Sequence, residues 1–200
     1  MGLPQRVVTY TPAEYLRRER EASYRSEYLR GEIFAMTGGS LKQSQIKTNI
    51  LGELRNRLKG RPCAPYDCDL RIKCATGLYT YPDASVICNE PEFDDARKDT
   101  VLNPTLLVEV LSKTTEAYDR GKKFDHYRTI AALREYVLVS QDEPMIQRFL
   151  RNDDETWTLT AVAGLEQTIA LRSIGVDLPL AEVYERVDFS AESEEPAPPT

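Results

Sequence analysis

A chain of 200 residues with 41% hydrophobic side chains can bury one substantial core and is short for several domains. No apolar run approaches the length of a bilayer span, and the N-terminal MGLPQRVVTY lacks the hydrophobic stretch of a signal peptide, so a soluble cytoplasmic protein is expected. The net charge of −6 disfavours nucleic-acid binding only as an average, because residues 1–60 hold eleven Lys and Arg against six Asp and Glu. Much of the negative charge sits in residues 188–200, with Asp188, Glu192, Glu194, Glu195 and no base. That acidic, Pro-rich end has the composition of a disordered tail, which leaves residues 1–187 as a single domain. Cys63, Cys68, Cys74 and Cys88 lack the close paired spacing of a zinc site, and reduced, buried thiols are expected.

Thr11-Pro12-Ala13-Glu14 has the form of a capping box and predicts a helix through Tyr15 and Leu16. SEYLRGEIFAMTGGS reads as a hairpin around Gly31 that ends at Gly38-Gly39. Ile46, Ile50, Leu51, Leu54 and Leu58 recur at helical spacing between Leu41 and Lys59, with Lys47, Arg55, Arg57 and Lys59 mostly off that stripe, on a solvated face or, as the alternative, a phosphate-binding one. After the stop at Gly60-Arg61-Pro62, the runs CDLRIKC, YPDASVICN and PTLLVEVLS predict three strands, the last central and covered on both faces. The polar loop between the second and third is expected to be exposed. Thr114 or Thr115 caps a further predicted helix with Phe124, Tyr127, Ile130 and Ala131 on its inner face. EYVLVS is another buried strand, MIQRFLR and the Trp157 region form a hairpin turning at 152–154, and LPLAEVYERV closes the domain as a short helix. The element order from residue 41 is α-β-β-β-α-β, an α/β (α+β) core with a mixed sheet flanked by helices, with an N-terminal helix and strand and a C-terminal hairpin added.

Two carboxylates interrupt these apolar strands, Asp83 and Glu109. An ionised carboxylate away from water is costly unless paired, hydrogen-bonded or bound to a metal. If the two strands are neighbours, Asp83, Glu109 and the Val110 carbonyl can converge on one Mg²⁺ or Mn²⁺, a set suited to phosphodiester hydrolysis. A lysine on the same side of the strand would fall at residue 111, which is Leu111. Lys123, on the following helix, is the expected substitute, with Lys122 the alternative. Asp119, four residues earlier, offers the competing expectation of a surface ion pair.

The string PD…VEVLS…YDRGKKF…LREYVLV resembles a large bacterial family of restriction-endonuclease-like proteins, the Uma-type domain of unknown function, placed in the PD-(D/E)xK nuclease superfamily. The likeness runs from about Glu27 to Trp157 and is most specific between Asp83 and Val139. It implies a restriction-endonuclease-like fold and a Mg²⁺-dependent endonuclease acting on DNA, duplex or single-stranded. Pro82-Asp83 matches the PD element, Glu109 the acidic residue of the second element, and Lys123 a helix lysine that replaces the strand lysine. Members of that superfamily are often dimers, which makes a homodimer the implied assembly. Where the family commonly carries a histidine at the start of the first core helix, this chain has Gln43, a neutral amide. Glu32 is a further candidate carboxylate and Glu53 a weaker one, Ser112 or Gln43 would support the ligands, and His126 is expected to be an ordinary helix residue. Two rival readings are a nucleic-acid- or protein-binding module that keeps the fold without the activity, and a hydrolase of small phosphorylated substrates.

Overall fold

The computed structural model describes residues 8–190; residues 191–200 of the expected tail lie outside it. The capping box forms as the sequence dictates. Helix α1 (Pro12–Glu21) starts at Thr11, whose side chain accepts from Glu14 N–H while the Glu14 carboxylate accepts from Thr11 N–H. Strands β1 (Ser26–Leu29) and β2 (Glu32–Ala35) make the expected hairpin, turning through Arg30 (φ 50°) and Gly31 (φ 98°), two positive φ angles as a type I′ turn requires. Helix α2 (Leu41–Leu58) is capped by Ser40 and buries Gln43, Ile46, Ile50, Leu54 and Leu58. Each large aliphatic side chain so buried contributes about 1.5–3 kcal/mol.

The remaining strands in chain order are β3 (Cys63–Asp67), β4 (Arg71–Lys73), β5 (Tyr79–Thr80), β6 (Ala84–Cys88), β7 (Thr100–Val101) and β8 (Leu106–Val110). A helical segment follows, built from α3 (Glu116–Tyr118), a π-helical turn (Asp119–Lys123) and α4 (Phe124–Tyr127). The chain ends in β9 (Glu135–Val139), β10 (Met145–Arg151), β11 (Trp157–Ala163), the hairpin β12 (Thr168–Leu171) and β13 (Val176–Pro179), and α5 (Leu180–Val183).

Six strands form the central mixed sheet in the order β11-β10-β9-β8-β6-β3, with β8 and β9 parallel and the other pairs antiparallel. Its even-numbered residues Val108 and Val110 pack with α2, α5 and the β12–β13 hairpin, while Leu107 and Leu111 pack on the other face with Tyr127, Tyr136 and Ile72. A second mixed sheet, in the order β2-β1-β5-β4-β7, lies on that other side, with α1 closing over Tyr28 and Tyr79.

Several expectations change here. CDLRIKC does contain a strand, but β4 belongs to the second sheet, and its place in the core is taken by β3, between the helix stop and CDLRIKC, where no strand is expected. Pro62 and Pro65 gave that stretch the look of a loop, yet Pro is tolerated at a sheet edge, where β3 lies. Of YPDASVICN only Ala84–Cys88 is a strand, β6; Tyr79 and Thr80 just before it form β5 in the other sheet, and Asp83 lies between the two. The loop of 90–103 contains β7, and its Asp94, Asp95 and Asp99 are paired with Lys73, Arg20 and Arg71. The predicted helix around Lys123 ends at Tyr127; Ile130 is buried beyond it and Ala131 is exposed. The β12–β13 hairpin had no counterpart in the sequence reading. Cys63 and Cys88 sit opposite each other in the β3–β6 register and form a disulfide, contrary to the expected free thiols, while Cys68 and Cys74 are free.

Candidate active site

The register of β6 against β8 pairs Ala84 with Val108, so Asp83, the residue just before β6, comes beside Glu109 at the end of that pairing. Asp83 is fixed by the backbone it faces: its Oδ2 accepts from Val110 N–H at 2.7 Å. Its Oδ1 is 2.7 Å from the Nζ of Lys47 on α2. Gln43, one helical turn before Lys47, donates from Nε2 to the Val110 carbonyl at 3.2 Å. The first turns of α2 therefore hold both the carboxylate and the carbonyl that the sequence placed in a ligand set.

Glu109 is 4% exposed and its Oε1 accepts from Tyr127 O–H at 2.6 Å and from Lys123 Nζ at 2.9 Å. Burial pushes the Glu109 carboxyl up to about 8; Lys123 and the Tyr127 hydrogen bond pull it down, while Asp83 and Asp119 push it further up. Lys123 is itself buried and reaches two more carboxylates, Glu27 Oε1 at 3.4 Å and Asp119 Oδ1 at 3.5 Å. These three carboxylates hold its ammonium well above the ordinary lysine value against the opposing pull of burial. Burial likewise raises Asp119. The expected surface ion pair between Asp119 and Lys123 is thus a buried one. It is carried by the π turn, whose i→i+5 bonding widens the helix and turns both side chains toward the sheet.

Apart from Tyr127 these residues line one cleft of about 960 Å³, together with the segment 34–40, Lys42, Ser112, Lys113, Tyr118 and Arg186. Ser112 lines the cleft, but its hydroxyl engages Thr114 and Thr115 and none of the carboxylates. Glu32 does not join the cluster: it is exposed on β2 and lines a separate groove with Tyr24 and Arg17. Glu53 pairs with Arg57 along α2. Lys122 is exposed, so Lys123 is the lysine that faces inward. His126 hydrogen-bonds Thr76 through Nδ1 at 2.7 Å, an ordinary structural contact, and burial lowers its imidazole below the usual value.

Three residues of the cluster escaped the sequence reading. The sequence pattern leaves Lys47 among the basic residues of a solvated or phosphate-binding face without tying it to Asp83, although its position four residues after Gln43 puts the two on one helix face. Tyr127 was placed only as core. Glu27 gave no signal, since it alternates with the buried Ser26 and Tyr28 on a short strand as any half-exposed residue would.

Fold and site together define a mixed α/β protein with a buried carboxylate–lysine centre at the floor of a cleft. Residues 12–181 match the model of the Uma2 family, described as "Putative restriction endonuclease", and the chain belongs to that family. Two proteins of Synechocystis are similar along most of their length. Uncharacterized protein sll1609 is 36% identical over 155 residues, 77% of this chain and 88% of its own. Uncharacterized protein slr1290 is 37% identical over 182 residues, 90% of this chain and 93% of its own. Among solved structures, a protein of Anabaena variabilis described as a putative nuclease belonging to DUF820 superposes with a TM-score of 0.70 at 18% identity, covering 89% of this chain and 96% of that one. At that identity the likeness is one of fold. No helix among the described residues is long and apolar enough to cross a membrane.

Proposed function

We propose that the protein is a metal-dependent endonuclease of the PD-(D/E)xK type that hydrolyses DNA phosphodiester bonds, with Asp83, Glu109 and Lys123 as its central residues. The observation that carries this reading is the meeting of Asp83, just before β6, and Glu109, on the neighbouring β8, in one cleft with Lys123 and Val110. Two carboxylates and a carbonyl form an all-oxygen donor set that fits Mg²⁺ or Mn²⁺. Among the described residues no three His, Cys, Asp or Glu side chains form a ligand cluster, and Mg²⁺ is commonly held by one or two carboxylates with water completing its shell. The charge balance agrees. Asp83, Glu109, Asp119 and Glu27 face Lys47 and Lys123, so full ionisation leaves two negative charges uncompensated, and Asp83 and Asp119 add to burial, the main cause, in raising Glu109.

A bound divalent ion supplies Lewis-acid polarisation of a phosphoryl oxygen and a more acidic attacking water. Asp83 is held in place for it by Val110 N–H, and Glu109 by the Tyr127 hydroxyl. Lys123 favours the charged form of Glu109 and places positive charge beside the position of the water. Gln43 orients the Val110 carbonyl through a neutral amide, which positions but does not transfer a proton.

The alternative is a binding module of the same fold, and one observation favours it. Both Asp83 oxygens and the Val110 carbonyl already have protein partners, so the centre is satisfied without an ion. The decisive experiment is cleavage of supercoiled plasmid and single-stranded DNA with Mg²⁺ or Mn²⁺, comparing wild type with Glu109→Ala and Lys123→Ala. Cleavage by wild type that is lost in both variants and with EDTA is the expected result. Inertness of all three while Mn²⁺ still raises the melting temperature of wild type, but not of Asp83→Ala, would leave the binding module as the better reading.

A further inference from the structure

The two lysines of the cleft are not equivalent. An ammonium group has three N–H donors and no acceptor. Lys123 Nζ lies within ion-pair distance of three carboxylates, Glu109, Glu27 and Asp119, and its side chain is only 7% exposed. Its donors are committed, so engaging a substrate phosphate would cost it an existing partner. Lys47 differs in each respect. Its side chain is 27% exposed, it lines the cleft, and Asp83 is its ion-pair partner, which leaves donor capacity on the cleft side.

The position of Lys47 matters as much as its exposure. It holds Asp83 Oδ1 at 2.7 Å, while Asp83 Oδ2 is tied to the backbone of Val110. Any cation taken up by Asp83 competes with Lys47 for the carboxylate. A lysine on a four-carbon stem can swing without moving the helix that carries it. A phosphate of a strand entering the same cleft would be a group able to accept it.

We propose that Lys47 is the phosphate-contacting lysine of this centre: it caps Asp83 in the free protein and passes to the phosphate of a bound DNA strand. Lys123 remains the fixed counter-ion of the buried carboxylates. The inference rests on the nuclease reading for its chemistry, but not for its test, because the phosphate contact can be measured without a metal.

The experiment is a salt titration, in EDTA, of a short single-stranded oligodeoxynucleotide binding to wild type, Lys47→Met and Lys47→Arg. Lys59→Ala, on an exposed residue at the far end of α2, serves as the control. Removing one phosphate contact is expected to make the log–log salt dependence of Lys47→Met shallower by about 0.7. Lys47→Arg and Lys59→Ala should keep the wild-type slope. Mn²⁺ binding by calorimetry should be retained or tightened in Lys47→Met, since Asp83 loses a competitor, while cleavage falls by about 10²–10³-fold. A wild-type slope and affinity in Lys47→Met overturn the proposal, as does loss of Mn²⁺ binding in a folded Lys47→Met protein. If wild type neither cleaves nor binds Mn²⁺ yet the slope still depends on Lys47, the nuclease reading falls and the phosphate contact stands. If wild type does not bind the oligonucleotide, both fall.

Discussion

Two buried glutamates sit on adjacent parallel strands of the central sheet and have different surroundings. Glu135 opens β9, paired with Leu106, and is 0% exposed; Glu109 lies on β8 and is 4% exposed. Glu135 accepts from Arg172 N–H at 3.0 Å, Ser173 N–H at 3.1 Å and Ser173 O–H at 2.6 Å, with Arg148 Nε 3.5 Å away. Every partner is a donor, and no second carboxylate crowds it. Glu109 shares its lysine with two other carboxylates and faces a third across the strands, at the floor of a cleft. Burial raises both carboxyls, so burial alone does not identify a site. The partners do. Glu135 is surrounded by donors, as a structural fixture is, whereas Glu109 shares one lysine with other carboxylates beside a cleft, the arrangement on which the proposed metal site rests.

The sharpest way to break this contrast is to neutralise each glutamate in turn. Glu109→Gln should lower cleavage by at least about 10²–10³-fold with the fold retained, whereas Glu135→Gln should leave the site's metal affinity unchanged. Equal loss of activity in the two, measured on proteins with native circular dichroism, would dissolve the distinction. In stability the order reverses. Glu135→Ala strands Arg148, 5% exposed, without its carboxylate, a loss of about 3–5 kcal/mol. At roughly 2–4 °C per kcal/mol for a domain of this size, the melting temperature should fall by roughly 6–20 °C.

A smaller effect tests the edge of the same sheet. The Cys63–Cys88 disulfide joins β3 to β6, the strand that Asp83 leads into, across a sequence separation of 25. Reduction should cost about 3 kcal/mol by the loop-closure estimate. Thiol titration of the denatured protein should find two reactive groups, Cys68 and Cys74, before reduction and four after it.

The smallest effect is the pH dependence of Glu109. Its folded-state value of about 8 lies above the ordinary 4.5, so folding favours the protonated carboxyl. That contribution is complete below about 4.5 and is lost as pH rises through about 8. The metal-free protein should therefore melt at a lower temperature at pH 9 than at pH 6, and Glu109→Gln should flatten the difference. Mn²⁺ affinity should rise over the same interval as the proton leaves. Tyr127→Phe removes a hydrogen bond that favours the charged form, so it should move the acidic limb of metal binding to higher pH.

The sequence by itself determined what depends on local chemistry and periodicity. Thr11 and Glu14 form their capping box, the stripe from Ile46 to Leu58 becomes a buried helix face, and LLVEV becomes a central strand. The adjacency of the segments that carry Asp83 and Glu109 was open to the sequence as a condition, that β6 and β8 be neighbours, and they are; Lys123 does turn inward, onto Glu109. Only the tertiary structure decided which strands share a sheet, because β3, β4 and β5 are short and their apolar patterns do not say which partner covers them. It also decided the partners of each charge. Lys47 and Lys123 look alike in a sequence, as do Glu109 and Glu135, and the energy of a charge is set by the groups within a few ångströms of it, which this chain draws from residues 27, 43, 47, 83, 109, 119 and 127.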